Sequence, residues 1–177
     1  MAVLSPALTP ARKAELAAFI ARHRLGVLAW KGMDGPGAAL MNIAVTPELE
    51  IVFETTCYTR KFAQLERDGR VALVIGWQGQ ETLQYEGVAA RPDGRRLEQA
   101  RDIFVAAFPR KAPDEFWPGN GYFLVRPCWL RFSSYYQPRF SEEYRLAPRP
   151  APAAAGWRAR LAQRLAGNGA PGNRGAD

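Results

Sequence analysis

Two rhythms of apolar and polar residues run along this chain. Leu16, Phe19 and Ile20 recur at helical spacing, with Arg12, Lys13 and Arg22 mostly on the other side. Thr9-Pro10 precedes them as an N-cap followed by proline at the first helical position, and Gly26 lies just past the end. Residues 25–30 form an apolar run suited to a buried strand. Met33-Asp34-Gly35-Pro36-Gly37 is dense turn chemistry, and residues 38–45 return as a second strand, which predicts a hairpin. Thr46-Pro47-Glu48 turns again before a third strand at 51–56. Three strands this closely spaced predict an antiparallel meander.

Residues 59–67 read as a short helix with Phe62 and Leu65 inward, ended by Asp68-Gly69. A fourth strand covers 71–77. A fifth covers 82–90, where Leu83, Tyr85 and Gly87 alternate with Gln84, Glu86 and Val88. Pro92-Asp93-Gly94 opens a helix to about residue 108, with Leu97, Ile103, Phe104 and Ala107 as its apolar set. A loop at 111–120 leads to a last strand at 122–135, where Pro127 points to an edge or a bulge. From residue 148 the composition turns to Ala, Pro, Gly and Arg, and Trp157, Leu161 and Leu165 suggest one short helix. The expected organisation is a folded domain at 1–147 and a largely disordered tail at 148–177. The expected fold is mainly β (α+β): a six-stranded antiparallel sheet, with flanking helices, closing into a small barrel that removes its edges.

A chain of 177 residues fits one domain with a sizeable core. The net charge of +7 invites a nucleic-acid partner, but the arginines are dispersed. The aromatic residues also lie mostly in apolar strands rather than between cations on one face, so no nucleic-acid binding is expected. Cys57 and Cys128 give neither a disulfide framework nor metal-ligand spacing, which fits a reduced, cytoplasmic protein. The first residues lack the pattern of a signal peptide, and no apolar run approaches the ~20 residues of a membrane span. His23 is the only histidine, which leaves little room for a histidine metal site or a Ser-His-Asp triad. It is expected at the solvated end of the first helix, where a cation suits the dipole.

The densest chemistry lies between Ile51 and Gly76. An apolar strand ends in Thr55 and Thr56, and Thr59-Arg60-Lys61 then opens a helix. Free backbone N–H groups and adjacent cations at a helix start suit a phosphate. Two cations there oppose the helix dipole unless an anion is present. Asn42, within an apolar strand, is a second oddity, because a buried amide must find partners.

In order along the chain, these segments resemble the split-barrel flavin-binding family that includes pyridoxamine 5'-phosphate oxidase. The resemblance rests on LGVLAW and GPGAALMNIAV, the strand closing in Thr55-Thr56, Thr59-Arg60-Lys61, QLERDGRVAL, and LQYEGVA around Gly87. It implies a homodimer with two FMN molecules at the interface and a small-molecule substrate. Arg60 and Lys61, helped by Thr59, would hold the FMN phosphate. Thr55 and Thr56 would lie beneath the ribityl chain and ring edge, with Met41 and Asn42 bordering the isoalloxazine. Gln84 of the partner subunit would present a polar side chain to the flavin, and Trp129 and Arg131 are further candidate contacts. The implied activity is FMN-dependent hydride transfer with a small organic substrate or nicotinamide. An F420-dependent reductase, drawing on Arg67 or Arg70, and a non-enzymatic flavin-binding or stress-related protein are the alternatives. True pyridoxamine phosphate oxidases add a C-terminal Arg/His motif. Here no histidine follows His23, so oxidation of vitamin B6 is not expected.

Overall fold

Thr9 caps the first helix as its sequence predicts. Its hydroxyl accepts from the Arg12 N–H at 3.2 Å, and Pro10 opens α1, Pro10–His23. The helix ends at Arg24, which takes the left-handed conformation (φ 57°), so the stop falls before Gly26. This computed structural model describes residues 3–109 and 119–146. Most of the expected loop at 111–120 and all of the tail from 148 lie outside the described residues.

Among the described residues nine strands form one sheet. β2 (Leu25–Lys31) and β3 (Pro36–Asn42) make the expected hairpin, pairing Leu25 with Asn42 and Lys31 with Pro36. The expected meander does not continue from there. The second strand breaks at Ile43, whose N–H bonds to the Arg24 carbonyl at 2.9 Å, and its remainder is the short β4 (Ala44–Val45). β4 turns into β5 (Ile51–Thr56), and β5 pairs on its other edge with β8 (Asn120–Ser134). After α2 (Arg60–Arg67), β6 (Arg70–Ile75) and β7 (Glu81–Ala90) form a second hairpin. α3 (Gly94–Ala107) leads on toward β8.

Two strands had no counterpart in the sequence reading, β1 (Val3–Leu4) and β9 (Phe140–Arg145), which pair in parallel at the sheet's end. The order is β1-β9-β8-β7-β6-β2-β3. Long β8 serves β5 with its first half and β9 with its second. The sheet therefore curls into a half-barrel flanked by three helices, a mainly antiparallel split-barrel fold as expected, with nine strands among the described residues where six were expected. Its open seam lies between β3 and β5, which share no ladder.

The concave face holds the core. Leu28, Leu73, Tyr85 and Leu130 sit on successive strands, with Phe53 and Phe123 stacked beside them, all essentially without solvent contact. α1 adds Leu16, Phe19 and Ile20, and α2 adds Phe62 and Leu65. Arg12 ties α1 to β9 through Glu142 at 2.8 Å. α3 closes one end of the convex face with Ala100 and Phe104 against Ala44, Val52 and Tyr122. Leu97, expected on its buried side, is 39% exposed, whereas Ala100 and Phe104 are buried and Ile103 and Ala107 pack partly buried beside them. The proline in β8 marks a bulge: the β7 ladder shifts between Glu86 and Gly87 opposite Pro127. No helix among the described residues is long and apolar enough to cross a membrane.

Candidate functional site

The open seam creates the candidate site. Where β3 and β5 end side by side, a cavity of about 300 Å³ is lined by Leu40, Met41, Asn42, Glu54, Thr55, Thr56, Lys61 and Asn120. Five of the ten residues expected at the cofactor site, Met41, Asn42, Thr55, Thr56 and Lys61, meet here. Strand alternation explains the pairing of sides: Met41 and Thr55 turn toward the interior and are buried, while Leu40 turns outward and is 58% exposed. Asn42 is only half-buried, so its amide is not the enclosed orphan its apolar surroundings suggested.

α2 begins at the rim. Thr59 is its N-cap, and its Oγ1 accepts from the Phe62 N–H at 3.3 Å. The same hydroxyl donates to the Thr56 carbonyl at 2.9 Å and lies 3.3 Å from Thr55 Oγ1. One side chain thus fixes the helix start to the strand end. Thr59 and Arg60 are exposed and are not among the lining residues, while Lys61 is half-buried and lines the cavity.

The surroundings of Lys61 are unusual for an ammonium. Its Nζ donates to the Met41 thioether sulfur at 2.9 Å and lies 6.0 Å from the centre of the Trp30 ring. Trp30 is itself held by an indole N–H bond to Gln64 Oε1 at 2.5 Å. Among the described residues no carboxylate pairs with Lys61 or with Arg60. Burial pushes the Lys61 pKa below the ordinary lysine value. A partly desolvated cation without a counter-charge is costly. Lys61 lies in the first turn of α2, where free backbone N–H groups favour an anion.

Gln84, Trp129 and Arg131 do not line this cavity. They stand on the convex face of the sheet. Gln84 is paired with Val74 and Arg131, and Trp129 with Glu86 and Arg145. Arg131 Nε donates to Ser141 Oγ at 3.0 Å and lies 3.7 Å from Glu143. Glu54 and Asn120 were missed in the sequence. Asn120 Nδ2 donates to Glu54 Oε2 at 3.3 Å across the β5–β8 ladder. A carboxylate inside the apolar run IVFETT was the available signal for Glu54. Asn120 becomes visible only through its pairing with Thr56.

His23 also departs from expectation. Its ring packs 4.5 Å from that of Phe19, and burial, with Arg22 beside it, lowers its pKa. Both effects work against the cationic form that the helix dipole would favour. Among the described residues no cluster of His, Cys, Asp and Glu could hold a metal.

A family model for pyridoxamine 5'-phosphate oxidase matches residues 13–125. No curated protein matches the chain. Among solved structures, a haem-binding protein from Mycobacterium smegmatis is 22% identical, with 89% of this chain and 69% of that one covered at a TM-score of 0.60. General stress protein 26 from Bacillus anthracis is 18% identical, with 68% and 92% covered and a TM-score of 0.56. A Clostridium acetobutylicum protein related to general stress protein 26, of the pyridoxinephosphate oxidase family, is 13% identical, with 78% and 96% covered and a TM-score of 0.58. At these identities the structural likeness establishes the fold and no more.

Proposed function

The chain belongs to the pyridoxamine 5'-phosphate oxidase family, and from that premise we propose that it is an FMN-dependent oxidoreductase that works as a homodimer. The observation that carries this reading is the pair of cations that have no carboxylate partner among the described residues, Arg60 and Lys61, where α2 begins beside the seam cavity. They fit the phosphate of FMN, Arg60 as a fork at the rim and Lys61 as a point charge within. The Thr55 and Thr56 hydroxyls and the Asn42 amide supply polar contacts for a polyol chain and a ring edge. Met41 supplies an apolar, polarisable border. FMN, once held there, would bring the hydride-transfer chemistry to a small organic substrate or nicotinamide. The protein's part is to bind the cofactor, orient it and exclude water from it.

The cavity's size supports a second subunit. About 300 Å³ is at the bottom of the range for small-molecule sites. Beside it the convex face presents a row across the sheet: Leu40, Val27, Val74, Gln84 and Arg131 are successive ladder partners. Leu40, Val27 and Val74 are 58%, 37% and 40% exposed. A partner subunit on this face would cover that apolar row. It would also bring its own Gln84, Trp129 and Arg131 toward the seam. Haem bound through histidine is a poor fit, because His23 is the only histidine and packs on Phe19 away from the cavity.

The test is a flavin-fluorescence titration of the Arg60→Ala/Lys61→Ala double variant. Each charge-assisted contact to phosphate is worth about 1.5–3 kcal/mol, so FMN affinity is expected to fall by at least a hundredfold. Unchanged affinity would place the phosphate elsewhere.

A further inference from the structure

A second cavity, of about 480 Å³, lies on the convex face between the start of α3 and the β7–β8 ladder. It shares no lining residue with the seam cavity. Its floor is apolar, made by Val88 and Ala90 of β7 and Leu124 and Pro127 of β8. Residues that neighbour each other across the ladder, Ala90 with Leu124 and Val88 with Arg126, make this floor continuous. The bulge at Glu86/Gly87 lies at its edge. Bulges re-aim the side chains next to them. Here the backbone comes in so close that a Cβ on Gly87 would lie 2.4 Å from the Arg126 carbonyl oxygen.

The charges around the cavity are unevenly satisfied. Arg96 clamps Glu50, with Nη2 2.9 and 2.8 Å from its two carboxylate oxygens. Arg91 turns away to Glu66 at 3.1 Å. The Arg126 side chain is exposed and has neither a carboxylate nor a hydrogen-bond partner among the described residues. With Arg96 held by Glu50 and Arg91 by Glu66, Arg126 is the lining cation left without a carboxylate among the described residues.

We propose that this cavity binds a small carboxylic acid, its aliphatic or aromatic body on the apolar floor and its carboxylate on the Arg126 fork. The volume is within the range of about 300–1,000 Å³ for small-molecule sites, and a mostly apolar lining with a few fixed polar groups is their usual composition. One guanidinium without a carboxylate partner among the described residues matches one carboxylate. A guanidinium meets a carboxylate through two parallel hydrogen bonds. The chain's own C-terminal segment also starts nearby, since the Leu146 N–H bonds to the Cys128 carbonyl at 2.9 Å. That segment carries Arg149, Arg158, Arg160, Arg164 and Arg174 against a single acidic residue, Asp177. A cationic segment does not complement the Arg126 guanidinium.

The experiment is calorimetric titration of the full chain with 3-phenylpropionate and with its neutral counterpart 3-phenylpropan-1-ol. The acid is expected to bind saturably at one site per chain, at least tenfold more tightly than the alcohol, by the worth of a charge-assisted pair. Arg126→Ala should remove that advantage and Arg126→Lys should keep part of it. The Arg60→Ala/Lys61→Ala variant should bind the acid as the wild type does, which separates this cavity from the flavin reading. The proposal is overturned by no saturable binding, by equal affinity for acid and alcohol, or by undiminished binding in Arg126→Ala. Loss of binding in Arg60→Ala/Lys61→Ala alone would also overturn it, because the acid would then occupy the seam.

Discussion

Burying an ammonium without a counter-charge gains nothing for the folded chain unless an anion arrives, and Lys61 is in that position. Its depressed pKa gives the site a pH dependence whose sign can be worked out. Burial favours the neutral amine in the free protein, while a bound phosphate favours the ammonium. FMN affinity should therefore fall as pH rises through the free-protein pKa of Lys61, starting below the ordinary lysine range. Lys61→Arg, which stays charged, should flatten that fall. Titrations across pH that show no difference between wild type and Lys61→Arg would contradict the assignment. At this scale the sequence was informative about charge and poor about partners. Thr59, Arg60 and Lys61 stand out because cations at a helix start need a reason. The Met41 sulfur and Trp30 ring around Lys61 come from strands twenty or more positions away, and no local pattern marks them.

Elements were legible wherever one periodic face met one core. α1, α2, β5 and β7 fall within a residue or so of their sequence-based limits. The misses have a common cause, because pairing is decided by edges that the sequence does not label. β5 chose β8 over the neighbouring hairpin, and β9 completes the sheet where no strand was expected. Tyr85 shows how the strands are then locked. Its buried hydroxyl lies 3.0 Å from the Leu49 carbonyl and 2.8 Å from that of Val125, holding the turn before β5 and the centre of β8. Leu49 is in the left-handed region at φ 65°, so this tie also steadies a strained residue. Tyr85→Phe should cost about 1–3 kcal/mol in urea unfolding, with an unchanged m-value. Gly87→Ala should cost a similar ~1–3 kcal/mol, since its Cβ meets backbone at Arg126 rather than a movable side chain. A neutral Gly87→Ala would mean that the bulge relaxes freely.

For the whole molecule, the half-barrel is built around an open seam that its own chain leaves incomplete. The cations lie at the seam, and Gln84, Trp129 and Arg131 lie on the convex face, so a single chain does not bring all the expected cofactor contacts together. A homodimer over the Leu40–Val27–Val74 row would do so. Val74→Glu places a charge in the middle of that row without touching the core. Sedimentation should show a dimer for the wild type and a monomer for the variant, and FMN affinity should fall with dimerisation. A wild-type monomer that binds FMN fully would remove the partner subunit from the account. The most direct test of the flavin claim itself is the visible absorption spectrum of the full chain, purified without added cofactor and then titrated with FMN. A flavin spectrum, present at purification or saturating at one FMN per chain, is the predicted result. A colourless protein that takes up no FMN would contradict the account.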